Sequence, residues 1–463
     1  MEPIVRAILE ACARSRRNFA AIWLVLTVLL PAPAVSAQDD ADSDAATEAT
    51  VPATETSEDN SEYAGPKITA AERKSWVQQQ HRTKYTNALR KLDKEEIDLG
   101  VRYHLYGLTM EEYRDDNYEE FGDSLPDLVR KFLKELESPV VSAESRAYAN
   151  QQVVEVAQEL LDQPPEVRIN VCILVSSLNV KNAGPRGEPA VPYIPAIDFH
   201  SAVLRNPSQL VSCKIWAAIG MGRIGRDAQP SVTERSQIAN DLAAALVAPD
   251  AAGEDHMWYR MRLVESLGYS GLTHDVTRQP VVIDSLMRVL IDPQEHWVVR
   301  ATAARSIPQL PLESKTEIPL ICYEIGRLTQ QMAQARNQNL KSPYWKYCFL
   351  NVYMAFQSRT EEEQEKKWGL LNQVTKPALR QHAANVQSLY EAILPIVNSV
   401  TQTVEPAATP ASDIEGLGEW IQNNVPQNWK VTPESDELKR PTEDEQATMA
   451  DTGSGEAATT SGE

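Results

Sequence analysis

The sequence predicts an all-α chain, a right-handed α-solenoid of stacked helix pairs flanked by acidic tails, and three observations predict it. Apolar residues recur at helical spacing through 67–400, with no convincing alternating strand pattern. A basic residue followed by one apolar pattern returns at intervals of 46, 46, 40 and 46 residues. The 463 residues also exceed what one compact core organises, about 100–200 per domain, whereas a repeat array buries each unit on its neighbours.

The N-terminus reads as a targeting segment over 1–37. Arg14, Arg16 and Arg17 precede Ala20–Leu30, an eleven-residue run whose one polar residue is Thr27. Pro31 and Pro33 break the run, and Val35-Ser36-Ala37 places small residues where a signal peptidase reads, so cleavage is expected near Ala37. The run is shorter than the roughly 20 residues a membrane span needs. An exported protein, periplasmic or extracellular, with no stable membrane insertion after cleavage is therefore expected. An uncleaved N-terminal anchor is the alternative. Cys12 precedes the apolar run rather than following it, which argues against lipid attachment.

The net charge of -20 is concentrated in the tails. Residues 38–66 hold nine acidic residues and no Lys or Arg, and 401–463 hold thirteen acidic and three basic. That leaves 38 basic and 41 acidic residues in 67–400, nearly neutral and without a basic stripe, which disfavours nucleic acid as a partner. Both tails bury too little to offset their ordering entropy and are expected to be disordered. Within the second, an apolar island at 413–429 holds Ile414, Leu417, Trp420, Ile421, Val425 and Trp429. A short amphipathic helix is expected over 413–424, ended by Pro426. It either docks on the preceding repeats or serves as a linear motif for a partner.

Between the tails, capping boxes are expected at Thr69/Glu72, Thr109/Glu112, Ser314/Glu317 and Thr360/Glu363. The repeat is anchored on Arg168, Lys214, Arg260, Arg300 and Lys346. One residue before, and three, seven and ten after each anchor, nineteen of twenty positions are apolar, where a 42% composition gives about eight. Those gaps trace one face of a helix. The segments before the anchors, Val191 to Leu204, Ile238 to Val247 and Val281 to Ile291, read as first helices. Asn206-Pro207 and Asp292-Pro293 each stand eight residues before an anchor and mark the turn between the two helices.

A two-helix repeat of this length, with Asp-Pro in the turn and Val299-Arg300 opening the second helix, resembles the HEAT family. Residues 292–304 carry the resemblance best, and it extends over 140–360. Residues 67–139 form an N-terminal helical or capping region, and 361–400 a C-terminal helical cap. The resemblance implies that the turn Asp292 and the helix Arg300 bond between neighbouring repeats, with Arg168 in the same ladder. At Lys214 and Lys346 the planar guanidinium fork is replaced.

Catalytic signals are absent from the sequence. None of the seven histidines lies within four residues of another, and there is no HExxH motif, His-Glu doublet or GxSxG elbow. Gly220, Gly222 and Gly225 read as a helix stop with close backbone approach between repeats, because no strand precedes them. Cys172, Cys213, Cys322 and Cys348 sit in apolar stretches as buried free thiols, with a disulfide unassignable from spacing. No catalytic residue, metal or cofactor is therefore expected, and the chain reads as a protein-binding scaffold or adaptor. Trp258, Trp297, Trp345, Trp420 and Trp429 are the candidate contact residues, with Trp216 in the same setting, because tryptophan is over-represented at binding hot spots. Two rivals remain: a self-assembling envelope component, and an enzyme whose site lies in the non-repeat segment 67–139, which is rich in Tyr, Asp and Glu (Tyr113, Asp115, Asp116, Tyr118, Glu119 and Glu120).

Overall fold

The computed structural model describes residues 67–110, 124–184, 188–251, 256–402 and 406–438. The targeting segment, residues 38–66 and the Tyr113–Glu120 run lie outside them. By contact the chain separates into two units. Met1–Glu62 with Ala183–Pro189 is one, and only residues 183, 184, 188 and 189 of it are described. The other, Tyr63–Asn182 with Ala190–Glu463, holds every element below.

The second unit is all-α, with eighteen α-helices among the described residues. The first five are α1 (Ala70–Gln78), α2 (His81–Lys91), α3 (Lys94–Gly107), α4 (Leu125–Leu136) and α5 (Ala143–Gln158). The capping box at Thr69 and Glu72 is formed in full, satisfying two donors of the first turn. Helix α3 packs on α2 and α5 through Ile97, Val101 and Leu105, each fully buried.

Then come α6 (Pro165–Ser177), α7 (Ile197–Arg205), α8 (Val211–Asp227), α9 (Val232–Leu246), α10 (Met257–Gly268), α11 (Val281–Ile291), α12 (Trp297–Ser306), α13 (Ile318–Gln338) and α14 (Trp345–Phe356). Two rows of contacts order them. In one row α4, α6, α8, α10, α12 and α14 each pack on the next, and in the other α7, α9, α11 and α13 do so. The first row owes its continuity to the repeated pattern. Of the twenty positions defined by the five anchors, all but the half-buried Tyr353 are buried. The one polar member, Ser270, is fully buried too. Each such Leu, Val or Ile contributes about 1.5–3 kcal/mol by leaving water. Cys172, Cys213, Cys322 and Cys348 are all buried free thiols in this packing. Burial pushes the Cys322 and Cys348 thiols up to about 12.

Several local expectations are corrected. The segment from Val191 opens as a strand, not a helix: Val191–Pro192 (β2) pairs antiparallel with Asn179–Lys181 (β1). The Asn150 amide donates to Asn179 O at 3.0 Å, and Arg223 donates to Asn179 Oδ1 at 2.8 Å, which fixes β1. The glycine run does not stop its helix. All three glycines lie inside α8, and the close approach is what they supply: a Cβ on Gly220 would fall 2.3 Å from His200 Nε2, and one on Gly222 2.5 Å from Ser266 Oγ. Ser314 and Glu317 form no box, because Glu317 is itself the cap residue before Ile318-Pro319. Thr360 accepts from Glu363 N at 3.1 Å, whereas the Glu363 carboxylate takes the Arg359 amide instead. Glu112 lies outside the described residues.

The chain finishes with α15 (Glu361–Glu365), α16 (Leu370–Gln373), α17 (Ala383–Thr401) and α18 (Ala411–Asn423). Helix α17 extends the first row by packing on α14, and α18 packs on both α13 and α17. The expectation of a disordered tail is therefore corrected over 406–438. Leu417 and Val431 are fully buried and Ile421 nearly so, enough to order the segment. The island helix runs from Ala411 rather than 413 and ends before Pro426, as its sequence implies. Beyond it the chain turns back. Val431 O accepts from Glu317 N at 2.9 Å, and Ser435 Oγ donates to Asp284 Oδ1 at 2.6 Å, which ties the segment to the starts of α13 and α11.

Candidate protein-binding surface

Four of the anchors, Arg168, Lys214, Arg260 and Arg300, carry side chains toward neighbouring helices. Arg168 Nη1 donates to Gln209 Oε1 at 3.4 Å. Lys214, 1% exposed along its side chain, pairs with Asp250. Arg260 Nε donates to Glu295 Oε2 at 2.7 Å, and its Nη1 donates to Leu246 O at 2.8 Å. Arg300 Nε donates to Leu290 O at 3.0 Å, and its Nη2 donates to Gln331 Oε1 at 3.0 Å. Asp292 spends Oδ1 on the Gln294 amide at 2.9 Å, an Asx turn matched by Asn206 and the Ser208 amide at 2.9 Å. The carboxylate ladder thus runs through Asp250 and Glu295. Asp292 acts on Arg300 through its charge: burial lowers the guanidinium to about 10, against the pull of Asp292.

The tryptophans divide by exposure. Trp258, on the first turn of α10, is 42% exposed. Trp297 is half-buried at the start of α12, with its ring 6.3 Å from Trp345 and the Arg300 guanidinium 5.0 Å above it. Trp345 is buried, and its indole N–H donates to Asn339 O at 2.7 Å. Trp216 is half-buried against the core. In the returning segment, Trp420 Nε1 donates to Ser388 Oγ at 2.9 Å and Trp429 packs edge-on to Tyr323 at 5.8 Å. Of these rings, Trp258 is the one most open to a partner.

A polar cluster beside Trp258 was not anticipated from the sequence. On α10 and just past it, Arg262, Glu265 and Tyr269 fall two, five and nine residues after the anchor Arg260, and on α12 Thr302 and Arg305 hold the first two of those places after Arg300. Arg262 Nη1 lies 2.6 Å from Glu265 Oε2, and Arg305 Nη1 lies 3.9 Å from Glu265 Oε1. Tyr269 OH donates to Glu265 Oε1 at 3.5 Å, and the Arg226 guanidinium lies 5.1 Å over the Tyr269 ring. Burial works to raise the Glu265 carboxyl. The charges of Arg262 and Arg305 outweigh it and hold the group below the usual carboxylate range. Burial likewise works to lower Arg305, and the Tyr269 and Glu265 neighbours reverse it.

Two further elements border this cluster. From α14, Tyr347 OH lies 3.4 Å from Met261 Sδ on α10, across the intervening α12. Burial and the Glu265 charge raise the Tyr347 phenol. From the turn after α15, Trp368 stacks on Tyr269 at 5.6 Å, and Lys366 Nζ donates to Arg226 O at 3.0 Å.

The arrangement presents planar guanidiniums beside aromatic rings, a chemistry suited to carboxylate and aromatic side chains. Among the described residues no group of three or more His, Cys, Asp or Glu is placed to hold a metal ion. The sequence signal lay in the repeat register: positions two, five and nine after the anchor form a polar stripe on α10 when the units are aligned. Comparison with known protein families, with characterised proteins and with solved structures returns no match, so the reading of this surface rests on the chain's own residues.

Proposed function

We propose that this chain is an exported, non-enzymatic scaffold or adaptor, a HEAT-like α-solenoid that displays its row of second helices to a protein partner. The observation that carries this reading is the unbroken row of contacts α6, α8, α10, α12, α14 and α17, with Trp258, Tyr347 and Leu350 exposed along it. A row of helices that bury one face on each other leaves the opposite face as a long surface, and a few aromatic anchors on it carry most of the affinity. Export is supported by the Arg14–Ala37 pattern, and among the described residues no helix is long and apolar enough to cross a membrane. The experiment replaces Trp258 with a photo-reactive amino acid in the full chain, within its native cells. Capture of one dominant protein is the expected result. Capture of further copies of the chain, with concentration-dependent sedimentation, would instead support self-assembly. No adduct at 258, with adducts from an outer-row control such as Val232, would remove the reading.

A further inference from the structure

We infer that Cys172 on α6 and Cys213 on α8 close an intramolecular disulfide in the exported chain, a covalent staple between neighbouring helices of the first row. The inference rests on the export reading, which supplies an oxidising compartment, and it assigns a pairing that sequence spacing leaves open.

Packing brings the two sulfurs together. Helices α6 and α8 lie against each other, and hydrogen bonds fix their register at both ends. At the start of α6, Arg168 Nη1 donates at 3.4 Å to Oε1 of Gln209, which stands just before α8. At its end, Arg223 of α8 donates to Ser176 O, and to Asn179 Oδ1 at 2.8 Å. The helices therefore run in the same direction. Arg168, Cys172 and Ser176 follow one another at one-turn intervals on a single face of α6, and Cys213 lies between Gln209 and Arg223. Both cysteines are fully buried, and the Cys172 thiol donates its S–H to the Cys213 sulfur. That hydrogen bond, ahead of burial, raises the Cys172 thiol well above its ordinary value. The same hydrogen bond, with the Arg168 charge and the Ser212 hydroxyl, lowers the Cys213 thiol against burial. Two touching thiols of unequal acidity make an attacking and a resolving sulfur. Cys322 and Cys348 differ, because burial comes first at each of them.

Closure consumes an oxidant of the dithiol–disulfide class. The Cys213 thiolate, its proton given to water, attacks one sulfur of the oxidant's disulfide and releases the other as a thiolate. The Cys172 thiol then gives its proton to water and attacks the Cys213 sulfur of the mixed disulfide, expelling the oxidant's remaining sulfur. One S–S bond forms in the chain and one breaks in the oxidant. Two electrons pass to the oxidant, whose two thiolates take up two protons and leave as thiols. Neither cysteine is open to water in the packed row, so the exchange runs while α6 and α8 are closing. Once formed, the bond lies out of reach of external thiols. It closes a loop over β1, β2 and α7 and removes that freedom from the unfolded chain.

The test has two arms and uses the full chain in each. In the first, the reduced and denatured chain is refolded in a buffer of glutathione and glutathione disulfide. It is then denatured without reductant, alkylated with iodoacetamide and mapped by mass spectrometry. Cys12, Cys322 and Cys348 are expected to take the label, with at least about tenfold less on Cys172 and Cys213, which appear as one joined peptide. Reduction before alkylation should restore label at both. In the second arm, the chain is alkylated as its native cells are lysed, and the same joined peptide is expected. Full label on Cys172 and Cys213 after refolding rejects the pairing in any compartment, as does either of them joined to another cysteine or to glutathione. Both thiols free in a native chain that has lost residues 1–37 rejects the modification and leaves export standing. A bond on refolding, with both thiols free in a native chain that retains residues 1–37 inside the cell, rejects export and with it the native bond.

Discussion

His200 is buried on α7 against Gly220 of α8, and neither ring nitrogen has a hydrogen bond among the described residues. Burial, aided by the Arg223 charge, lowers the imidazole to about 3. The unfolded chain, near 6.5, takes up the proton first, so stability is complete above pH 6.5 and is lost as the pH falls toward 3. Between pH 7 and pH 4 the His200 contribution to that loss should be of order 3 kcal/mol, and His200→Met should flatten the dependence in urea unfolding at the two pH values. Dependence of equal slope in the variant would show that another group governs acid lability. At the facing position Gly220→Ala should cost about 1–3 kcal/mol, because the new methyl meets the ring. The double variant Gly220→Ala with His200→Ala should cost less than the two single changes added, since the clash is then gone. Additive losses in thermal melts would place the strain elsewhere.

Helix α18 is held by few side chains. Leu417 is fully buried, Ile421 is nearly so, and Trp420 reaches Ser388 by its indole N–H. Leu417→Ala should therefore destabilise by about 2–5 kcal/mol and raise proteolysis within 411–438 ahead of the rest of the chain. Cleavage at unchanged rate would mean that this helix is seated by its polar contacts. The element also shows where sequence reading stopped. Its helical span and its end before Pro426 were legible from Ile414, Leu417 and Ile421, but its seat was not, because an apolar stripe does not name the face it covers. The row of helices α6, α8, α10, α12 and α14 was legible from periodicity, since the same aligned positions are buried in each of them, Tyr353 alone being half-buried. The hairpin at 179–192 was not, because its pairing depends on Asn150 and Arg223 from distant helices. Arg262, Glu265 and Arg305 escaped notice for a related reason: polar residues on a helix ordinarily face water, and the crossing of Tyr347 over α12, with Trp368 stacked on Tyr269, places these among other side chains.

Across the whole unit, stability should spread by nearest neighbours, as in any stack where each pair buries itself on the next. Leu263→Ala, at a fully buried site on α10, should reduce hydrogen-exchange protection most in α8, α10 and α12, and least in α2 and α3. A uniform drop across all helices would indicate one cooperative core. The returning segment interrupts this locality. Ser435 and Asp284 bond although 151 residues separate them along the chain. A ribosome delivers Asp284 long before Ser435, so for many seconds at about 5–20 residues per second the first turns of α11 and α13 stand without these contacts. The segment 406–438, synthesised after the helices it joins, is thus a closing clasp, and any nascent chain halted before it would present those helix starts to chaperones and proteases.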